Sequence, residues 1–255
     1  MTFPFDQGYF WLALVGAVFA LGGLVKGLIG LGLPTIAMGG LSVAMPPSQA
    51  AALLIVPSLV TNLWQVGGPG LLALLRRLAG LLIGVCVGVG VGSGWLAGAG
   101  ASAAWPTAGL GLALVAYAGL GLLNWRPVVP AGHERWLSPL IGLATGLVTA
   151  ATGVFVIPAV PYLQALGLER EALVRALGIA FLVSTIALGV ALGQGGALPA
   201  STAAASVLAL LPALGGMTLG QALRRRIAPE PFRRMFLVGL LLLGLYLASR
   251  VVFDH

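Results

Sequence analysis

The sequence predicts an all-α integral membrane protein: two inverted repeats of transmembrane helices, each with a helix pair broken by glycine and proline. Three observations carry that expectation. Of 255 residues, 59% are hydrophobic and only 7% charged, whereas a soluble domain carries roughly a quarter charged residues; such a chain cannot cover itself in water. Its apolar runs are apolar on every side and about 20 residues long, as membrane helices require, rather than alternating as barrel strands do. Finally, a glycine-rich interruption from Gly22 to Pro34 is answered half a chain later by Gly142 to Pro158. Paired broken segments in corresponding halves are the sequence pointer to a transporter's binding site.

The elements follow in order. A first span over Tyr9–Val25 opens on Tyr9, Phe10 and Trp11, an interfacial aromatic belt. The broken segment continues to Met45; Gly weakens a helix interior, and Pro removes a hydrogen bond and clashes with the preceding turn. Pro46-Pro47-Ser48 makes a turn with Ser48 as N-cap. The next helix, Gln49–Val66, is apolar except for Ser58, Thr61, Asn62 and Gln65, which share one face. Gly67 to Gly70, with Pro69, closes it. Arg76-Arg77 introduces a span to Trp95 whose Gly84, Gly88 and Gly92 form a ladder for close helix approach. After the uncharged loop Ala97–Ala104, a plain span runs from Trp105 to Trp125.

The connection Arg126–Arg135 divides the chain into repeats over residues 9–125 and 136–253 within a single domain. A second broken segment, Leu137–Leu166, contains Pro139, Pro158 and Pro161. Then come a helix over Ala172–Leu192, a turn at Gln194–Pro199, a ladder span Ala200–Leu223 with Gly216 and Gly220, and a last span Phe236–Val252. Arg76-Arg77, Arg126, Arg135, Arg170, Arg175 and the cluster Arg224 to Arg234 mark the cytoplasmic side by the positive-inside rule. The polar-faced helix then runs inward in the first half and outward in the second, provided each broken segment returns to its starting side. Both termini would lie outside.

Composition also narrows the chemistry. The formal charge of +7 reflects cytoplasmic loops rather than nucleic-acid binding. Cys86 is the only cysteine, and the two histidines, His133 and His255, lie outside the spans, leaving no disulfide, metal cluster or serine–histidine pair. No acid lies in a span and there is no Walker motif. We therefore expect no enzyme, no catalytic residue, no metal and no cofactor.

Lys26, the only lysine, is the sharpest single residue. All six acids (Asp6, Glu134, Glu169, Glu171, Glu230, Asp254) sit in termini or loops, so no carboxylate is at hand. An intramembrane cation is by default a functional site; the alternative is that Lys26 ends the first span and snorkels to the headgroups. If Lys26 is in the site, an unpaired cation among glycines suits an anion, and backbone N–H groups at helix breaks attract anions too. The candidate substrate-binding residues are accordingly Lys26, Gly30, Gly32 and Thr35 from the first break and Thr61, Asn62 and Gln65 from the polar face. Thr149, Thr152 and Gly153 from the second break, with Ser184 and Thr185, complete the set.

The run Gly23-Leu-Val-Lys26-Gly27-Leu-Ile-Gly30-Leu-Gly32, then Pro34 and Pro46-Pro47-x-x-Ala50, resembles the first half of the TauE/SafE family of sulfite and organosulfonate exporters. Gly146-Leu-Val-Thr149-Ala-Ala-Thr152-Gly153, Pro158 and the helix start Arg175–Leu182 resemble the second half. Leu33 and Ala150-Ala151 depart from the usual glycine-rich runs. The resemblance implies an ion-gradient-driven transporter of sulfur oxyanions in the bacterial plasma membrane. The sequence expectation is a secondary anion transporter using alternating access, whose partners are its small anionic substrate and the lipid bilayer; the glycine ladders suit a homodimer as well as the internal fold. An uncoupled channel or facilitator, or a non-transporting membrane scaffold, are the alternatives.

Overall fold

A computed structural model describes residues 5–68, 70–98, 104–123, 128–130, 132–224, 226 and 229–253. Pro69, the middle of the Ala97–Ala104 loop, Trp125, Arg126, Arg225, Asp254 and His255 lie outside the described residues, as does the side chain of Asp6. The described chain forms α1 Phe5–Ile29, α2 Leu33–Ser42, α3 Pro47–Val66, α4 Leu71–Val91, α5 Trp95–Gly98, α6 Ala104–Leu122, α7 Glu134–Thr152, α8 Ala159–Ala165, α9 Arg170–Gln194, α10 Ala200–Leu223 and α11 Pro229–Phe253.

Among the described residues, seven helices are long and apolar enough to cross a membrane. The nineteen-residue α7 is not one of them; Glu134, Arg135 and its serine and threonines lower its hydropathy. The arginines at Arg76 and Arg77 lie inside α4 rather than before it, since that helix begins at Leu71. Ser48 does not cap α3. Pro46 holds the N-cap position, Pro47 starts the helix, and no side chain caps it.

Most of the glycines in the first interruption do not interrupt anything. Gly22, Gly23 and Gly27 remain within α1, and the chain leaves the helix only at Gly30 (φ 84°) and Gly32 (φ 122°), backbone angles that favour glycine. In the second half the helix ends at Gly153 (φ 74°). After each break the chain doubles back. Leu33 lies at Gly22 and Val18 at Gly40, so α2 retraces α1. In the second half, Ser138 of α7 hydrogen-bonds Tyr162 of α8 at 2.5 Å.

Gly23 and Gly27 serve packing instead. A Cβ on Gly23 would sit 2.1 Å from the carbonyl oxygen of Ala213, and one on Gly27 2.2 Å from that of Met217. The ladder glycines answer from α10, where Gly216 faces Ala20 at 2.0 Å and Gly220 faces Leu24 at 2.2 Å. The same contact recurs between α4 and α7: Gly84 meets Pro139 at 2.4 Å, Gly88 meets Leu143 at 2.3 Å, and Gly146 meets Val85 at 2.3 Å. Each long helix of a broken pair thus packs on the ladder helix of the other half, running parallel to it. Lipid supplies no hydrophobic drive between helices, so backbone-to-backbone approach is what holds such pairs.

The remaining contacts also run between halves. α3 and α9 cross antiparallel at the centre, with Gly178 beside Gln65 and Gly189 beside Ile55, while α6 and α11 meet antiparallel at Gly111 and Gly244. One end of the bundle collects Arg77, Arg135, Arg170, Arg175, Arg224 and the start of α11. There Arg77 forms a bidentate pair with Glu134 at 2.8 and 2.9 Å and reaches the Leu166 carbonyl, joining α4, α7 and the end of α8.

A methyl group at Gly216 must push α1 and α10 apart, whereas nothing lies within 4 Å of a Cβ at the neighbouring Gly215. Gly216→Ala is expected to destabilise the fold by about 1–3 kcal/mol through overpacking. Gly215→Ala should be neutral or stabilising, because alanine is the better helix former. Thermal unfolding of the two variants in detergent checks the contrast.

Candidate functional site

The Lys26 side chain is 1% exposed. It turns inward from the last turns of α1 and does not snorkel to the surface. Its amino group donates to Thr61 Oγ1 at 3.0 Å and to Asn62 Oδ1. Both acceptors are neutral, and among the described residues the only ion pair within 4 Å joins Arg77 to Glu134 at the arginine-rich end. Lys26 is therefore buried against oxygens that carry no formal charge.

The polar face of α3 extends this contact into a chain. Asn62 Nδ2 donates to Ser58 Oγ at 3.0 Å, and Ser58 lies 2.9 Å from Thr185 Oγ1 on α9. The Thr185 hydroxyl donates to the Phe181 carbonyl at 2.6 Å. A hydroxyl has one proton to give, so Ser58 must donate to Thr185. The donors then point one way, from Lys26 through Asn62, Ser58 and Thr185 to the backbone of α9. Thr61 accepts from Lys26 and donates to the Pro57 carbonyl at 2.7 Å. Ser58, Thr61, Asn62 and Thr185 are all buried, and every one of these polar groups has a partner, as burial demands.

Pro57 interrupts α3 beside this chain. Having no N–H, it leaves the Leu53 carbonyl without its helical donor. Ser206 of α10 supplies the donor at 2.8 Å and accepts from the Val56 N–H at 3.1 Å. Neither Pro57 nor Ser206 stood out in the sequence. A proline within an otherwise helical run was the available signal, and its serine partner lies in an alanine-rich stretch 150 residues from Val56.

The first break adjoins the site. Gln65, one turn beyond Thr61 and Asn62, donates from Nε2 to the Gly30 carbonyl at 2.8 Å, and the Gly30 N–H bonds the Lys26 carbonyl at 2.8 Å. Thr35 closes the start of α2 by donating to the Gly32 carbonyl at 2.9 Å. The Gln65 Oε1 atom is buried with no hydrogen-bond partner.

The second break is elsewhere. A Cβ on Gly153 would meet Met38 and Ala51, and Ala51 lies near the opposite end of α3 from Gln65, about 21 Å away along the helix axis. Thr145, Thr149 and Thr152 donate to the carbonyls of Ile141, Thr145 and Val148 in their own helix. Ser184 likewise donates to Ala180. Of the candidate residues, the structure brings together Lys26, Thr61, Asn62 and Thr185, with Gln65, Gly30, Gly32 and Thr35 alongside. Thr149, Thr152 and Gly153 form a separate group, and Ser184 turns back on α9. Among the described residues, the two breaks lie towards opposite ends of α3.

Cavities lie at both ends of α3. At the arginine-rich end, one of about 460 Å³ is lined by Gln65, Gly67, Gly68, Arg170, Glu171, Val174, Arg175 and Arg224. Towards the other end, another of about 460 Å³ includes Ser48, Gln49, Leu53, Ser201 and Thr202. The Lys26 chain lies between them.

Residues 14–247 match the family described as Sulfite exporter TauE/SafE. The chain belongs to this family. No curated protein and no solved structure matches it. With seven helices among its described residues suited to crossing a membrane, this TauE/SafE member is a multi-pass membrane protein of a transporter family.

Lys26 and Asn62 are mutual partners, so removing one is worse than removing both. Asn62→Leu should lower stability by about 1.5–3 kcal/mol, the range for a hydrogen bond to a charged group. The double variant Lys26→Met/Asn62→Leu should recover a large part of that loss. A double-mutant cycle by denaturant unfolding in detergent measures the coupling.

Proposed function

We propose that this TauE/SafE protein is a secondary transporter of a small sulfur oxyanion, sulfite or an organosulfonate, across the bacterial plasma membrane. One observation carries the reading: Lys26 is buried with only neutral oxygens for partners. A cation in a low-dielectric interior is costly without an opposite charge, and a bound oxyanion supplies that charge. Lys26 provides the attraction. Thr61 and Asn62 hold its amino group, and Asn62 can also turn its amide donor to the anion. The chain to Thr185 ties the site to α9.

The transport cycle we infer is alternating access between two inverted repeats. The recurring contacts support it: α1 on α10 matches α7 on α4, and the central α3–α9 pair runs antiparallel. So do the two cavities, which approach the Lys26 chain from opposite ends and are separated by it. The arginine-rich end faces the cytoplasm by the positive-inside rule.

Ligand-dependent stabilisation tests this proposal. A ligand that binds only the folded state raises stability by about 2.7 kcal/mol at a hundredfold excess over its Kd. Sulfite or an organosulfonate such as taurine is expected to raise the melting temperature of the wild type, and acetate to do so far less. Lys26→Met and Asn62→Asp should both remove most of the rise, the second because it installs a carboxylate in the anion's place while preserving a partner for Lys26. Stabilisation by sulfite that is undiminished in both variants would overturn the assignment of Lys26.

A further inference from the structure

The mechanism proposed above uses no arginine, yet three arginines surround one cavity at the end of α3 nearest Lys26. Arg170, Arg175 and Arg224 line it against a single carboxylate, Glu171, so its walls carry a formal excess of two positive charges. Arg170 and Arg175 come from the first turns of α9 and Arg224 from the end of α10. Gly68 adopts φ 140°, and the space where its Cβ would be is within 2.6 Å of an Arg175 nitrogen, so a side chain there would collide with the guanidinium. The start of α9 opens at the same cavity. No side chain caps that helix, and its N-terminal N–H groups add to the positive potential.

The cavity is separated from the Lys26 site by a thin wall. Gln65 lines the cavity while its Nε2 holds the Gly30 carbonyl. Val174, also in the lining, approaches Gly30 at 3.5 Å from the position of an added Cβ. Gly30 is in turn hydrogen-bonded to the Lys26 backbone. The unpartnered Gln65 Oε1 marks where this wall is least satisfied.

We propose that this arginine-lined cavity is a second anion site, a recruitment site for small oxyanions on the arginine-rich face, with Gln65 as the partition between it and Lys26. It rests on the reading that the chain transports anions. A cleft with walls of one charge raises the local concentration of counter-ions and speeds their capture. The guanidinium fork matches two oxygens of an oxyanion, so the same chemistry would hold a free sulfite or the phosphate of an anionic lipid headgroup.

The test uses purified full-length protein and sodium sulfite, first by binding in a neutral detergent and then by flux from the arginine-rich face of phosphatidylcholine proteoliposomes. In Lys26→Met, a weaker and strongly salt-sensitive sulfite site should remain, and Arg170→Gln/Arg224→Gln should remove it. In otherwise wild-type protein the arginine pair should raise the half-saturating sulfite concentration about tenfold, with a much smaller effect on maximal rate. Arg170→Lys/Arg224→Lys should restore part of the affinity. Arg233→Gln/Arg234→Gln removes equal charge from α11, outside this cavity, and should change little.

Three results would overturn the recruitment site: unchanged half-saturation in the Arg170/Arg224 pair, an equal effect from the Arg233/Arg234 pair, or an effect seen only when the vesicles contain phosphatidylglycerol. The last would assign the cavity to lipid headgroups. Failure of the parent reading looks different. If Lys26→Met transports sulfite as wild type does, the central site is lost whatever the arginines do.

Discussion

A lysine inside a membrane bundle must be surrounded by oxygen, and that requirement shapes the structure around α3. Lys26 leaves α1 near its end and finds Thr61 and Asn62 one turn from the end of α3. Those residues need partners of their own. Thr61 takes the Pro57 carbonyl, and Asn62 passes its demand through Ser58 to Thr185 on α9. One buried amino group thereby fixes the mutual position of three helices. The network ends on a backbone carbonyl of α9, and it uses two of the three Lys26 N–H donors and one of the two Asn62 amide donors, which leaves one of each to meet an anion.

That central arrangement requires a rigid outer frame, and the glycine ladders supply it. Each close pair, α1 with α10 and α7 with α4, places backbone against backbone where a single Cβ would collide. In lipid such contacts are favourable because dispersion is maximised where side chains are smallest. They also join the halves of the chain, since the long helix of one broken pair always grips the ladder of the other half. A motion that separates the halves has to slide or rotate these interfaces together. The shorter α2 and α8 return along their partners and close the frame around α3 and α9.

Much of this was legible from residue pattern. Helical spans of sufficient length, the polar stripe on α3 and the glycine ladders follow from periodicities that any membrane helix must show. The broken segments were legible as regions, but their break points were not. Gly23 and Gly27 look the same in sequence as Gly30 and Gly32, and only tertiary contact separates a glycine that admits a neighbour from one that turns the chain. The depth of Lys26 was equally undetermined, because helix length alone allows both the surface and the interior. Burial was settled by Asn62 lying across from it on α3. Ser206 was invisible for the same reason: its role exists only because Pro57 leaves a carbonyl unpaired on a different helix.

The two halves share their packing but not their polar chemistry, and the difference explains why only one break adjoins a cross-helix network. Gly23-Leu-Val-Lys26 corresponds to Gly146-Leu-Val-Thr149, with a lysine in the first half and a threonine in the second. A threonine hydroxyl reaches its own helix backbone, and Thr149 does so at the Thr145 carbonyl; the motif is self-contained and asks nothing of α9. A lysine side chain cannot be satisfied by the helix that bears it. It reaches across to α3 and recruits the amide of Asn62, where α9 offers the shorter Thr185 in the matching place. Symmetric helix packing thus supports an asymmetric core in which polarity is concentrated towards the arginine-rich end. Gly153 instead closes the end of α7 against Met38 and Ala51, and Thr152 lies beside Gly109 of α6, while the hydroxyls of Thr149 and Thr152 bond within their own helix.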